Sequence, residues 1–500
     1  MLNDFYKQFK SGTDIRGVAS EGVEGQSVNL TDDVVADMAD GFVLWLSKKV
    51  SKKPSELKIS VGRDSRISGP HIMKITTERF KRCGAEVLCC QLASTPSMFM
   101  TTVDLGCDGA LQITASHHPF NRNGLKFFTR EGGLEGSDIE EILLYAQNGE
   151  HPEECNGGNI TDVDYMSDYA KGLCEKIKKE VNAEDYEHPL KGFKIVVDAG
   201  NGAGGFYADK VLSVLGADTT GSRYLEPDGM FPNHVPNPEA KEAMDSICEA
   251  VRESGADLGV IFDTDVDRGG AVDSKGNEIN RNRLVAVAAA IALEGNDGGM
   301  IVTDSITSSG LKQFIENDLG GKHYRYRRGY KNVIDKALEL NAQGINCPLA
   351  IETSGHAAMR ENYFLDDGAY LCTKIIIKAA QMRKEGKELD ELTASLKEPL
   401  ESTEIRYKIL EKDFRACGEK IIADLTKYAE EQDGWCVAYD NREGIRVSFD
   451  RDNGDGWFLL RLSVHDPIMP LNVESDSEGG VKIICDKLGE FLKTTTGLDL

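Results

Sequence analysis

The stretch Leu258-Gly-Val-Ile-Phe-Asp-Thr-Asp-Val-Asp-Arg-Gly-Gly270 runs from an apolar, strand-like segment straight into a loop carrying three carboxylates at spacing two. The same succession, an apolar run ended by polar or turn residues, recurs outward along the chain. It appears at Leu57–Val61, Glu86–Cys90, Lys194–Asp198 and Pro348–Glu352. Between such runs lie stretches with apolar residues at helical spacing, among them Asp32–Lys48 and Phe206–Leu215. Alternating strand and helix predicts α/β layers with mixed or parallel sheets. The tail changes character. Trp435–Tyr439, Gly444–Phe449, Trp457–Leu462 and Met469–Glu474 read as short strands closed by a helix at Gly479–Thr494, which predicts a smaller α+β domain.

A chain of 500 residues exceeds one hydrophobic core and predicts three or four domains. The polar, glycine-bearing stretches Gln147–Asn159 and Val272–Arg283, and Glu398–Ser402 ahead of a tail of different character, are the candidate boundaries. The net charge of −25 disfavours nucleic acid and anionic membranes as partners. It also requires any phosphate site to concentrate its cations locally. The start, MLNDFYKQFK, lacks the apolar segment of a secretory signal, and the longest apolar run, Leu284 to Leu293, is too short to span a bilayer. The 12 cysteines are scattered without CxxC spacing, which predicts a reducing compartment and no zinc site, and the adjacent pair Cys89-Cys90 ends an apolar strand-like run, which predicts buried thiols there. A cytoplasmic location is expected; a plastid would fit if a transit peptide had been removed.

Four segments carry chemistry. Thr114-Ala-Ser-His-His-Pro-Phe-Asn-Arg-Asn-Gly-Leu-Lys126 places Ser116 beside His117, His118, Arg122 and Lys126. A serine hydroxyl is a weak nucleophile that needs a base or a positive environment, and Pro119 and Gly124 specify a rigid loop that could supply one. The bland alternative is a surface loop with chance basic neighbours. In the second segment, Asp263, Asp265 and Asp267 are hard oxygen ligands suited to Mg²⁺ or Ca²⁺. An EF-hand is excluded, because its sixth position would be Arg268 and its twelfth Ser274. A solvated acidic turn is disfavoured, because three aspartates ending an apolar strand repel one another unless something neutralises them. The third, Glu352-Thr-Ser-Gly-His356, offers carboxylate, hydroxyl and imidazole groups suited to sugar hydroxyls and proton transfer. The fourth, Arg461-Leu-Ser-Val-His-Asp-Pro467, could hold a phosphate through Arg461 and Ser463, although a half-exposed strand would give the same letters.

Two further segments compete for interpretation. Gly200-Asn-Gly-Ala-Gly-Gly205 fits GxGxxG with Glu226 downstream, yet a glycine-rich turn made for tight packing is at least as common. Tyr324-Arg-Tyr-Arg-Arg-Gly-Tyr-Lys331 mixes aromatics with cations as single-strand binders do. In so acidic a chain a local phosphate clamp is the better reading.

Together these segments resemble the α-D-phosphohexomutase family. The resemblance starts at Gly12-Thr-Asp-Ile-Arg-Gly17 and Gly62-Arg-Asp-Ser-Arg-Ile-Ser68 and continues through the serine loop and Asp198-Ala-Gly-Asn-Gly-Ala-Gly204. It then takes in Pro227-Asp-Gly-Met-Phe-Pro232 and Pro236-Asn-Pro-Glu239, and ends with the Asp, sugar and Arg-x-Ser segments, all in family order. It implies an α/β protein of four domains around a central cleft, three similar mixed α/β domains plus a smaller C-terminal α+β domain. The expected limits are 1–155 with the phosphoserine loop, 156–275 with the metal loop, 276–398 with the sugar loop and 399–500 with the phosphate site.

The implied activity interconverts hexose 1-phosphate and hexose 6-phosphate, with mannose or glucose as the sugar. The route is a phosphoserine at Ser116 and a hexose 1,6-bisphosphate, which also serves as activator. Catalytic roles are implied for Ser116, His117, Lys126, His356 and Arg16. Mg²⁺ is implied on Asp263, Asp265, Asp267 and the Ser116 phosphate. Substrate binding is implied for Arg268, Glu352, Ser354, Lys331, Arg461, Ser463 and His465. The expected assembly is a monomer or homodimer. The alternatives are a phosphoglucosamine mutase or a catalytically silent sugar-phosphate-binding relative. The chain departs from the family's usual letters at His118, at Val464-His465-Asp466 of the clamp and at Arg327-Arg328-Gly329-Tyr330. These departures bear on the sugar more than on the reaction.

Overall fold

The computed structural model describes residues 1–463 and 466–499. The chain forms two compact units. The first comprises Met1–Asn280, Ser354–Ala358 and Leu365–Glu391; the second comprises Arg281–Thr353, Met359–Phe364 and Leu392–Leu500.

In the first unit, apolar β-branched runs form the sheets and amphipathic helices cover them. Strand Lys58–Arg63 pairs in parallel with Glu86–Leu92 on one side and Gly109–Ile113 on the other. Arg122–Thr129 then returns antiparallel to Gly109–Ile113, and Asp14–Val18 joins its far edge. Residues 114–121, the serine loop, therefore link two neighbouring strands of one mixed sheet. Helix Asp32–Val50 extends the expected segment at its C-terminal end and stops at Ser51, which adopts a left-handed φ of 56°. It buries Met38, Phe42 and Leu46 in a core with Ile59, Phe80 and Phe127.

A second sheet follows the same logic. Ile195–Asp198 pairs in parallel with Leu258–Phe262, which turns back antiparallel into Gly269–Val272. The aspartate loop is thus the turn of a hairpin. The glycine-rich stretch after Asp198 is a packing turn: Ala203 N donates to Thr264 O at 2.8 Å, and a Cβ on Gly202 would lie 2.6 Å from that same oxygen. Segment Phe206–Leu215 differs from expectation. Its core, Tyr207–Leu212, winds as a π-helix that carries the Tyr207 hydroxyl to Thr373 Oγ1 at 2.8 Å.

In the second unit, Lys322–Arg325, Met300–Thr303 and Leu349–Ile351 form parallel pairs. The C-terminal region folds as a six-stranded antiparallel sheet. The four expected tail strands are present, closed by helix Gly480–Leu492. The sheet also contains Glu401–Ile409, which pairs with Ile468–Ser475, and helix Phe414–Glu430 packs with it. The molecule therefore has three mixed α/β domains and a C-terminal domain built on an antiparallel sheet. Among the described residues no helix is long and apolar enough to cross a membrane. Cys89 and Cys90 are buried, and burial pushes the Cys90 thiol up to about 12.

Candidate active site

The serine loop of the first unit is held from beneath by Asp64 and Arg66. Arg66 is fully buried, and its guanidinium donates to the carbonyl oxygens of Ser116, His118, Pro119 and Arg122. Its Nε pairs with Asp64 at 3.2 Å. Asp64 also accepts from Thr114 Oγ1 at 2.8 Å, and Thr114 Oγ1 in turn accepts the Ser116 N–H at 2.9 Å. Burial raises the Asp64 carboxyl to about 6 against the opposing charge of Arg66. Ser116 itself adopts φ 50°, a left-handed backbone uncommon outside glycine. Arg16 donates to Ala115 O at 3.3 Å and pairs with Asp14 at 3.0 Å, which sets it against the same loop.

The Ser116 hydroxyl lies 3.1 Å from Asp263 Oδ2 and 3.2 Å from His117 Nδ1. Arg268 Nη2 also reaches His117 Nδ1, at 3.1 Å, so that nitrogen is an acceptor without a proton. Burial and the cations Arg268 and Arg16 hold the His117 ring near a pKa of about 2. His117 is therefore a neutral hydrogen-bond acceptor in this arrangement and a weak base.

Asp263, Asp265 and Asp267 are all buried, and one carboxylate oxygen from each lies within 4.8 Å of the others. Their protein partners leave oxygens over. Asp265 Oδ2 accepts from Thr95 Oγ1 at 2.5 Å, and Asp267 Oδ2 accepts from Lys126 Nζ at 2.8 Å. Asp265 Oδ1 and Asp267 Oδ1 are buried with no hydrogen-bond partner among the described residues. Buried orphaned carboxylate oxygens are costly, and an all-oxygen set of this kind fits a hard divalent cation such as Mg²⁺. Burial and the neighbouring aspartates push Asp263 well above the usual carboxylate range. Burial acts the same way on Asp267, but Lys126, His356 and Arg268 overcome it and hold that carboxyl well below the range. Between the ligands, Val266 takes φ 68°, unusual for a β-branched residue; its carbonyl accepts Gly368 N at 3.1 Å.

Ser354 and His356 belong to this unit too. Gly269 N donates to Gly355 O at 3.2 Å, and a Cβ on Gly355 would lie 2.7 Å from Gly269 O, so only glycine permits the approach. His356 Nδ1 donates to Asp366 at 2.5 Å, and its Nε2 accepts from Arg268 Nε at 2.9 Å. Burial lowers the His356 pKa, but Asp366 prevails and the net shift is upward. Arg268 thus bridges His117 and His356, and its Nη1 lies 3.4 Å from Glu239. Ser116, His117, Lys126, the three aspartates, Arg268 and His356 are brought together; Asp366, Thr95 and the Asp64–Arg66 pair join them without having been expected from the sequence.

The second unit carries the remaining candidates. Glu352 is buried and accepts Gly329 N at 2.5 Å. Arg461 is 9% exposed, and its Nε has no hydrogen-bond partner among the described residues. Ser463 Oγ accepts Asp466 N at 3.3 Å. His465 lies outside the described residues. Lys331 pairs with Asp335 one helical turn on. In the basic run, Arg325 is buried and donates to Thr307 Oγ1 and Ser308 O, a structural use.

The comparisons with known proteins agree on one family. Models of phosphoglucomutase/phosphomannomutase match alpha/beta/alpha domain I at residues 7–151, domain II at 168–276 and domain III at 280–399. The chain is 26% identical to a phosphoglucomutase of Neisseria meningitidis serogroup A over 502 residues, covering 100% of this chain and 98% of that protein. It is 28% identical to a phosphomannomutase/phosphoglucomutase of Pseudomonas syringae pv. tomato, covering 97% and 96%. The crystal structure of a phosphoglucomutase/phosphomannomutase family protein from Burkholderia thailandensis matches with a TM-score of 0.79 at 25% identity, covering 99% of this chain and 98% of that one. The chain belongs to the α-D-phosphohexomutase family.

Proposed function

We propose that the protein interconverts the 1- and 6-phosphates of glucose and mannose through a phosphoserine at Ser116 and a hexose 1,6-bisphosphate. The observation that carries this reading is the Ser116 hydroxyl, 3.1 Å from Asp263 in a buried triad with orphaned carboxylate oxygens. The relatives named above support glucose and mannose as the sugars. Asp263, Asp265 and Asp267 are the residues that would hold Mg²⁺, which when bound supplies positive charge to offset the phosphoryl oxygens.

In the proposed cycle, a sugar hydroxyl oxygen forms a bond to the phosphorus on Ser116 as the bond to Ser116 Oγ breaks. Asp366 keeps a proton on His356 Nδ1, and Nε2, once the substrate phosphate draws Arg268 away from it, takes the proton of the attacking hydroxyl. Lys126 Nζ carries the proton exchanged with the Ser116 oxygen. The bisphosphate then presents its other end, and Ser116 Oγ takes that phosphoryl in the reverse sense. Arg66 holds the Ser116 loop in one geometry throughout, which serves a reaction that depends mainly on positioning and charge. Glu352 and Ser354 bind sugar hydroxyls. Arg461 and Ser463 hold the phosphate that is not reacting, and the unpartnered Nε of buried Arg461 supports that role. Domain limits at 155, 275 and 398 and a cytoplasmic location belong to the same reading.

The test is a panel of glucose, mannose and glucosamine 1-phosphates with Mg²⁺ and catalytic bisphosphate, products read by phosphorus NMR. Conversion of the glucose and mannose esters is expected. Conversion of the glucosamine ester alone would reassign the sugar, and no conversion of any would refute the activity.

A further inference from the structure

Two consecutive backbone N–H groups in the second unit are each taken by a carboxylate. Arg328 N donates to Glu443 Oε2 at 3.2 Å, and Gly329 N donates to Glu352 Oε1 at 2.5 Å. Gly329 has φ 119°, a conformation that glycine alone adopts readily, and helix Tyr330–Ala342 begins directly after it. Glu443 comes from the C-terminal domain, between strands Trp435–Val437 and Ile445–Phe449. Its Oε2 also accepts from Ser305 Oγ at 2.5 Å. Ser305 follows Asp304, a buried carboxylate that accepts both the Thr353 hydroxyl at 2.8 Å and the Thr353 N–H at 3.3 Å. Thr353 follows Glu352.

The bonds close into a circuit: Glu443 to Ser305 and Asp304, on to Thr353 and Glu352, and back through Gly329 and Arg328. Every member except Glu443 belongs to the preceding α/β domain. Neighbouring bonds stiffen the junction, with Arg446 Nη1 donating to Ser305 O at 3.1 Å and Arg325 reaching Asp440 at 3.4 Å.

We propose that Glu443 is a positioning residue that sets the sugar-binding carboxylate Glu352 for substrate. This rests on the reading of Glu352 as a substrate ligand. The physical reason is the shared turn. With Glu443 gone, the Arg328 N–H and the Ser305 hydroxyl lose a charge-assisted acceptor, and the turn that fixes Glu352 can relax.

The experiment measures kcat and KM for glucose 1-phosphate in wild type, Glu443→Ala, Glu443→Gln, Ser305→Ala, Glu352→Gln and the Glu443→Ala/Glu352→Gln double variant. Wild-type turnover comes first, so that its absence defeats the mutase reading and leaves this inference separately identified. Glu443→Ala should raise KM about tenfold with kcat within about threefold. Glu443→Gln, which keeps an acceptor oxygen, should stay within about threefold of wild type in KM. Ser305→Ala should shift KM in the same direction, and keeps the test open if Glu443→Ala does not fold. In the Glu352→Gln background the Glu443→Ala effect should shrink, because both act through one turn. An unchanged KM in Glu443→Ala and Ser305→Ala, or a full and additive effect in the double variant, would overturn the proposal.

Discussion

Replacing Lys126 by Met separates the two tasks that a cation inside the aspartate cluster performs. Lys126 is 5% exposed, and its Nζ lies 2.8 Å from Asp267 Oδ2. At an effective dielectric constant of about 20, that separation corresponds to about 6 kcal/mol of gross attraction before desolvation. Removing one partner of such a buried pair costs about 3–5 kcal/mol, because the other charge stays buried without compensation. Methionine retains most of the apolar stem, so lost packing contributes little. The metal-free variant should therefore lose about 3–5 kcal/mol in a urea titration. The same change removes a cation that competes for an Asp267 oxygen, so Mg²⁺ affinity should rise by about tenfold or more, worth about 1.4 kcal/mol. Mg²⁺ should then restore more stability to the variant than it adds to wild type. Turnover should fall by about 100-fold or more, since the proposed proton carrier is gone. Tighter metal binding with slower turnover is the signature. Equal or weaker Mg²⁺ affinity by calorimetry, together with unchanged metal-free stability, would refute the reasoning.

Asp265→Asn removes a charge from the same cluster and should weaken Mg²⁺ and cut turnover by about 100-fold or more, seen in an activity titration with the metal. Arg461→Ala should raise KM for the hexose 1-phosphate about tenfold with a smaller change in kcat, read from initial rates. His234 gives a pH test away from the metal loop. Its Nδ1 faces Val235 O and its Nε2 faces Asp198 Oδ1, both at 3.0 Å, so both nitrogens must donate and the ring is an imidazolium. Burial lowers its pKa, but Asp198 outweighs burial and the net shift is upward from 6.5. A raised folded-state pKa means that its stabilisation is complete below about 6.5 and is lost as pH rises through the higher value. His234→Gln should abolish that alkaline loss in a series of melting temperatures between about pH 6 and 9; a pH profile parallel to wild type would contradict the assignment.

The parts of the fold legible in the sequence were those written in local patterns. The apolar runs ending at Asp198, Phe262 and Ile351 are buried strands, and such runs announce themselves. Strand Glu401–Ile409 was harder to see. Its inward side is only half buried, with Thr403, Ile405 and Tyr407 alternating against exposed Ser402, Glu404 and Arg406. In the site, Ser116 and the aspartates were visible because their chemistry is compressed into short loops. Asp366 was not, because its bond to His356 spans ten residues and the carboxylate stands in an unremarkable Asp-Asp-Gly stretch. Arg66 entered only within the Gly62–Ser68 segment of the family resemblance, with no role attached. Only the fold reveals that it holds four carbonyls of the serine loop at once.

The central claim is that Ser116 carries the phosphoryl group, and its most direct test is a label. Protein incubated with Mg²⁺ and glucose 1,6-bisphosphate labelled with radioactive phosphate, freed of ligand and digested, should carry the label on Ser116 alone. A chase with unlabelled glucose 1-phosphate should move it into hexose phosphate. Label on another residue, or label on Ser116 that the chase leaves in place, would contradict the account.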